Sequence, residues 1–237
     1  MRSKVFFING GAGRVVASIP ALEKYAETHD DFIIVCEGGM NFYRGHPVLH
    51  KYAYDNWHKG LFEDKIKDRD CITPEPYRQW HYYNQKCSLS QAFDIEINGL
   101  DEPRELPAPN ITLAKGEGIQ GMQLVDEAIN TTGKEKVIVI QPFGRGIMDT
   151  GGYMFDPTSR SFNLSDISTI INNLKKDYCV IVMSEFPFQT EEGESKDAYI
   201  VPNIEDIRIW ASIIDLSLIH ISEPTRPLYI SYAVFCL

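Results

Sequence analysis

The chain has 237 residues, of which 43% are hydrophobic, 11% aromatic and 24% charged, with a formal net charge of −10. These proportions exclude wholesale disorder, and the length suits one large or two small domains. The acidic balance argues against a broad nucleic-acid or anionic-membrane surface, which needs a basic stripe, and no run approaches the ~20 apolar residues of a transmembrane span.

Lys4–Asn9 is a continuous apolar run, as in a strand buried on both faces of a parallel sheet. Gly10, Gly11, Ala12 and Gly13 form a turn, after which Val15, Ile19, Leu22 and Ala26 recur at helical spacing. Pro20 lies within that helix and marks a kink or a delayed start. Phe32–Cys36 is a second buried strand, so the chain opens with a βαβ unit. The stretch 43–72 mixes aromatics, His and charge, with a short strand or helix near Leu61–Ile66. Ser88–Phe93 reads as helical, and the prolines 103, 107 and 109 mark a linker.

A second α/β unit follows. Met122, Val125 and Ile129 mark a helix ending at Gly133, and Val137–Gln141 is a strand. A long polar loop runs to Asn163. Leu164, Ile167, Ile171 and Leu174 then mark an amphipathic helix capped by Asn163 or Ser165. Cys179–Met183 is a strand, residues 191–194 form an acidic loop, and Ile204, Ile207, Trp210 and Ile214 mark a last helix.

Three features carry chemistry. The loop Gly10–Arg14 lies between a strand and a helix N-terminus, where the backbone approaches a ligand closely and the dipole favours an anion. Gly11 and Gly13 meet only half of the dinucleotide fingerprint, because Val16 holds the third position. A tight turn without ligand is the plain alternative. The second feature is Phe143, Gly144 and Arg145 after the strand at 137–141, with Arg160 later in the same connection. Arginine pairs with phosphate in bidentate fashion, although a solvated surface arginine reads the same way. The third is the cluster of Tyr77, Trp80, His81, Tyr82 and Tyr83, with Trp57 and His58 upstream. Aromatic faces stack on sugars and bases, but packing explains such density equally well. Neither the His residues nor Cys36, Cys71, Cys87 and Cys179 show metal-ligand spacing, so no metal is expected. Scattered thiols suit a reducing, cytoplasmic setting.

On these residues the chain resembles glycosyltransferase family 9, the heptosyltransferase-like GT-B enzymes. Lys4–Tyr25 carries the best match, with Ile19, Pro20, Ala21 and Leu22 fitting the family's first helix. Val137–Gly146 is similar to its donor loop, and Ile204–Asp215 to the helix before its Asp-Ser-Gly donor motif. The resemblance implies an α/β fold of two Rossmann-like domains, at 1–105 on the acceptor side and at 106–215 on the donor side. It implies a nucleotide-sugar donor, a saccharide acceptor and no required cofactor. Phe143, Gly144, Arg145 and Arg160 fall on the donor side, and Gly11, Gly13 and Arg14 on the acceptor side. The family's loop Asp, its general base, is matched here by Arg14, which cannot accept a proton. Two other readings stand beside this one. The first is a nucleotide- or sugar-binding protein without turnover. The second is an NAD(P)-dependent oxidoreductase, with Glu37 placed to contact a ribose.

The end of the chain has its own resemblance. Leu216–Arg226 and Ile230–Leu237 read as the translation of a sequencing-library adapter, in one frame and with a gap that fits an index. Native sequence is therefore expected to stop near Asp215, leaving the second domain truncated, the Asp-Ser motif absent and the fragment inactive.

Overall fold

A computed structural model of the chain describes residues 3–144, 146–149, 154–184, 188, 190 and 199–221. The chain divides into two compact units, Met1–Leu113 and Ala114–Cys236.

In the first unit, strand β1 (Lys4–Ile8), helix α1 (Ala12–Ala26) and strand β2 (Phe32–Cys36) form the opening βαβ unit. Strands β3 (Ala53–Asp55) and β4 (Asp70–Ile72) complete a parallel sheet in the order β3-β2-β1-β4. Successive side chains leave a strand on opposite faces. Val5, Ile33 and Val35 pack against Leu61 and Ile66, which flank and close a π-helical turn at Phe62–Ile66. From the other face, Phe6 meets Tyr25 of α1 edge-on at 4.9 Å. Pro20 lies inside α1 without ending it, and the helix buries Ile19, Pro20, Ala21 and Leu22. Burial of that stripe outweighs the one backbone bond that proline removes.

A short helix α2 (Trp80–Tyr83) precedes α3 (Leu89–Asn98), which packs on α1. Ser88 and Gln91 close a capping box at the start of α3, and Gly99, at φ 66°, ends it. The fully buried Asp94 of α3 accepts two bonds from Arg104, at 2.6 and 2.8 Å, and one from Asn98 at 2.6 Å. This clamp holds the proline-bearing stretch 101–110 on the first unit, so the division falls beyond it.

The second unit opens with α4 (Lys115–Thr132) and β5 (Val137–Ile140). The polar connection after β5 contains an antiparallel pair, β6 (Met148–Asp149) and β7 (Met154–Phe155). Helix α5 (Leu164–Leu174), β8 (Cys179–Val182), β9 (Tyr199–Ile200), α6 (Ile207–Asp215) and β10 (Ile219–Ile221) follow. The parallel sheet has the order β10-β5-β8-β9. Ile167 and Ile171 of α5 cover Ile138, Ile140, Val180 and Val182. Val125 and Ala128 of α4, with Trp210 and Ile213 of α6, cover Val137, Val139, Cys179 and Ile181. The result is a helix–sheet–helix sandwich.

Helices α4 and α6 meet closely at Gly121, where a Cβ would stand 2.7 Å from Ser212 Cβ. Arg208, 1% exposed, binds both carboxylate oxygens of Glu117 at 2.7 Å, and Glu117 also accepts the Ala114 amide. The adapter-like segment begins within the described residues, and its Ile219–Ile221 pairs with β5 as β10.

Candidate functional site

In open α/β sheets, ligands bind outside the carboxyl ends of the strands, where the strand order reverses. In the first unit that point lies between β1 and β4. The loop after β1 turns at Gly10, whose φ of +101° suits only glycine and whose added Cβ would meet Arg14 Cδ at 2.9 Å. Gly11 is the N-cap of α1 and supplies no side chain, while Gly13 lies in the first turn. The Gly10 amide donates to Glu37 Oε2 at 2.8 Å, across the end of β2. Glu37 is thus held beside the loop.

Arg14 crosses to the segment after β4. Its Nη2 donates to Pro74 O at 2.8 Å and stands 3.5 Å from Glu75 Oε1. Its Cζ lies 5.3 Å from the Tyr77 ring and 5.7 Å from the Phe93 ring, within cation–π range. The Nε is buried and unpartnered among the described residues. The Glu75 amide donates to Glu96 Oε2 of α3 at 2.5 Å. Burial pushes the Glu96 carboxyl above its ordinary value. The Glu75 amide and the Arg14 charge oppose the rise, and the Glu75 charge adds to it. The structure therefore gathers Gly11, Gly13 and Arg14 at one edge, with two carboxylates that sequence reasoning missed. Glu75 was detectable once β4 was recognised, because it follows that strand's carboxyl end. Glu96 had no sequence signal, since α3 brings it in from elsewhere.

The aromatic cluster divides. Tyr82 is buried against Tyr77, whereas Trp80, Tyr83 and Trp57 are exposed. His81 is engaged at both ring nitrogens, by Gln79 at 3.2 Å and Glu102 at 3.1 Å, which suits a structural tie.

In the second unit the order reverses between β5 and β10. Gly144, beyond β5, donates its amide to Ser161 Oγ at 3.1 Å. A Cβ on Gly144 would stand 2.8 Å from Arg160 Cβ, so these two donor-side candidates are neighbours. Asp156 organises the approach by accepting from the Arg160 amide at 3.0 Å and from Ser161 Oγ at 2.7 Å. Hydrogen bonds from Ser161 and then Thr158 hold its carboxyl well below the usual carboxylate range. Phe143 is buried edge-on to Phe188 at 5.1 Å, so its ring anchors the loop in the core. Asn163 caps α5. The expectations for Arg145, for the acidic loop 191–194 and for 222–237 lie outside the described residues. Among the described residues there is no group of three or more His, Cys, Asp or Glu suited to a metal, and no helix long and apolar enough to cross a membrane.

No protein-family model matches the chain, and no curated protein does. Solved structures do. The ADP-heptose lipopolysaccharide heptosyltransferase II of E. coli shares 8% identity and a TM-score of 0.55, over 94% of this chain and 79% of its own. The iron-containing dodecameric glycosyltransferase TibC of enterotoxigenic E. coli shares 11% identity at a TM-score of 0.49. A glycosyl transferase family 9 protein of Veillonella parvula shares 9% identity at 0.49, over 96% of this chain and 83% of its own. The chain spans 94% of itself but only 53% of TibC, about half that protein's length. The fold is the heptosyltransferase-like, GT-B type of α/β fold, as the sequence resemblance implied.

Proposed function

We propose that the protein from which this chain derives transfers a sugar from a nucleotide-sugar donor to a hydroxyl of a saccharide acceptor. The observation that carries this reading is the fold likeness to heptosyltransferase II across 94% of the chain. One fold hosts many chemistries, so the loops must support the reading too. They do, since a glycine-bearing loop follows the first strand of each parallel sheet, β1 and β5.

In this reading Gly144, Arg145 and Arg160 take the donor phosphates. Gly144 lets the Arg160 backbone pack against the loop, where a Cβ would stand 2.8 Å from Arg160 Cβ, and the guanidinium groups match phosphate oxygens. The acceptor oxygen bonds to the anomeric carbon as the carbon–oxygen bond to phosphate breaks. The nucleoside diphosphate departs with the electron pair, and fixed positive charge stabilises it without a required metal. Gly11, Gly13 and Arg14 line the acceptor side. The acceptor proton passes to a carboxylate, because Arg14 cannot accept it. Glu96 is our choice, since burial raises its basicity and it stands beside the Glu75 that Arg14 contacts. The protein works in the cytoplasm.

The test is to resequence the source DNA across the Asp215 codon, express the extended chain, and assay nucleoside diphosphate release from nucleotide sugars with saccharide acceptors. Acceptor-dependent release, weakened in R160A and E96Q, supports the reading. A genomic Leu216–Leu237, or an extended chain without turnover, overturns it. The engagement of Arg14 by Pro74 favours one second reading, a nucleotide-sugar-binding protein without turnover. Saturable binding with no release on any acceptor would support that reading instead.

A further inference from the structure

The connection from β7 to α5 is built around one carboxylate. Asp156 follows β7 directly, and its two oxygens accept four hydrogen bonds. Oδ1 takes the Thr158 amide at 2.8 Å and the Thr158 hydroxyl at 2.6 Å. Oδ2 takes the Arg160 amide at 3.0 Å and the Ser161 hydroxyl at 2.7 Å. Within this turn Ser159 stands at φ 55°, in the left-handed region that costs a residue with a Cβ, and the bonds to Asp156 sustain it. The Ser161 proton is committed to Asp156, which turns an Oγ lone pair toward the Gly144 amide at 3.1 Å. The carboxylate thus ties together the loop after β5 and the turn before α5. The two approach closely. A Cβ on Gly144 would stand 2.8 Å from Arg160 Cβ, and one on Gly146 would stand 2.8 Å from Asp156 Oδ1.

A carboxylate offers about four lone-pair sites, and here four donors fill them. Asp156 therefore has no site left for the guanidinium of Arg160, which it would otherwise attract. The Arg160 side chain is exposed and has no partner among the described residues. The turn holds Arg160 by its backbone and leaves its charge unspent. Hydrogen bonds from Ser161 and Thr158 keep the Asp156 carboxyl ionised throughout the neutral range.

We infer that Asp156 is a positioning residue for the donor: its saturated carboxylate locks Arg160 beside Gly144 and leaves the Arg160 guanidinium free to take a diphosphate. The inference rests on the reading that places the donor phosphates at Gly144 and Arg160.

The test uses the full chain and inorganic pyrophosphate. Amide resonances of Gly144, Ser161 and Phe162 are followed by NMR in wild type, R160A, D156N and S161A, and unchanged dispersion of the remaining resonances verifies that each variant is folded. Wild type should saturate at these amides, and R160A should bind at least about tenfold more weakly, the factor that one lost charge-assisted contact supplies. D156N separates positioning from simple charge. Asparagine offers one oxygen to four donors, so the turn loosens and pyrophosphate binding should weaken by about tenfold. Were Asp156 only a negative charge near the site, its removal would tighten the binding of an anion instead. A purely structural role would lower the unfolding midpoint of D156N and leave the pyrophosphate affinity of its folded molecules unchanged. S161A cuts the tie to Gly144 alone, so it should weaken binding, but less than D156N does. Binding by D156N, S161A or R160A as tight as that of wild type, or tighter, overturns the inference. So does the absence of saturation in wild type, which would mean that no free guanidinium is presented there. Failure of the transfer reading is seen separately, in the extended chain's lack of turnover, and leaves the order of pyrophosphate affinities intact.

Discussion

The ion pair between Arg208 of α6 and Glu117 of α4 sets up a strong test of the packing account. Arg208 is 1% exposed and Glu117 12%, and both contacts are 2.7 Å long. Replacing one member of a buried pair strands the other charge, at about 3–5 kcal/mol. R208M keeps the volume, so most of its effect should be that electrostatic loss and little of it a cavity. The Ala114 amide still reaches Glu117, which places the expected loss at the lower end, near 3 kcal/mol. With a urea slope of ~2 kcal/mol/M, the midpoint falls by about 1.5 M. The double variant R208M/E117L removes both charges, and it should recover most of the loss, short of ~1 kcal/mol for the missing helix-start contact. The assay is urea unfolding followed by Trp210, which packs in the second unit's core, in a background where the exposed Trp57 and Trp80 are replaced by Phe. A midpoint shift under about 0.3 M for R208M, or a double variant less stable than the single, would refute the reasoning.

Three further outcomes are expected. G121A should destabilise the second unit by about 1–3 kcal/mol in the same assay, since its Cβ would overlap Ser212, and S212G should restore part of the loss. His46 is fully buried against Glu23, and burial lowers its pKa from the ordinary value, with Glu23 opposing. The folded state therefore disfavours the proton. The stability His46 contributes is present above about pH 6.5 and is lost as pH falls, and the wild-type thermal midpoint should drop faster than that of H46Q between pH 7 and pH 5. Parallel slopes would contradict this. In the extended chain, E96Q should lower turnover with little change in donor KM, whereas R160A should raise donor KM. The opposite pattern would exchange their roles.

Much of the sheet framework was legible because its strands are buried on both faces. Val5–Ile8, Val137–Ile140 and Cys179–Val182 are unbroken apolar runs, and parallel sheets covered by helices require such runs. Helix ends were legible where a glycine enters the left-handed region, as at Gly133, or where Asn163 caps α5. The short strands were not. Ala53–Asp55, Asp70–Ile72 and Tyr199–Ile200 are too brief to show a period, and Asp70 and Cys71 are exposed. They form because an existing strand offers its edge, which is a tertiary cause. The candidate site divides in the same way. Gly10–Arg14 was legible as a loop, but its partners Glu37 and Glu75 follow β2 and β4, and Glu96, which holds the Glu75 amide, comes in on α3. Arg208 left one trace in the sequence, as a charge between Ile207 and Ile209 in the apolar start of α6.

The central claim, a nucleotide-sugar-dependent transferase built on this fold, meets its most direct test in the extended chain. Amide shifts are mapped while nucleoside diphosphate sugars are added, without any acceptor. The account predicts saturable shifts at Gln141–Gly144 and Arg160, abolished in R160A, with no shift at Gly10 and Gly11. Saturation confined to the loop after β1, or no saturation with any nucleotide sugar, would contradict it.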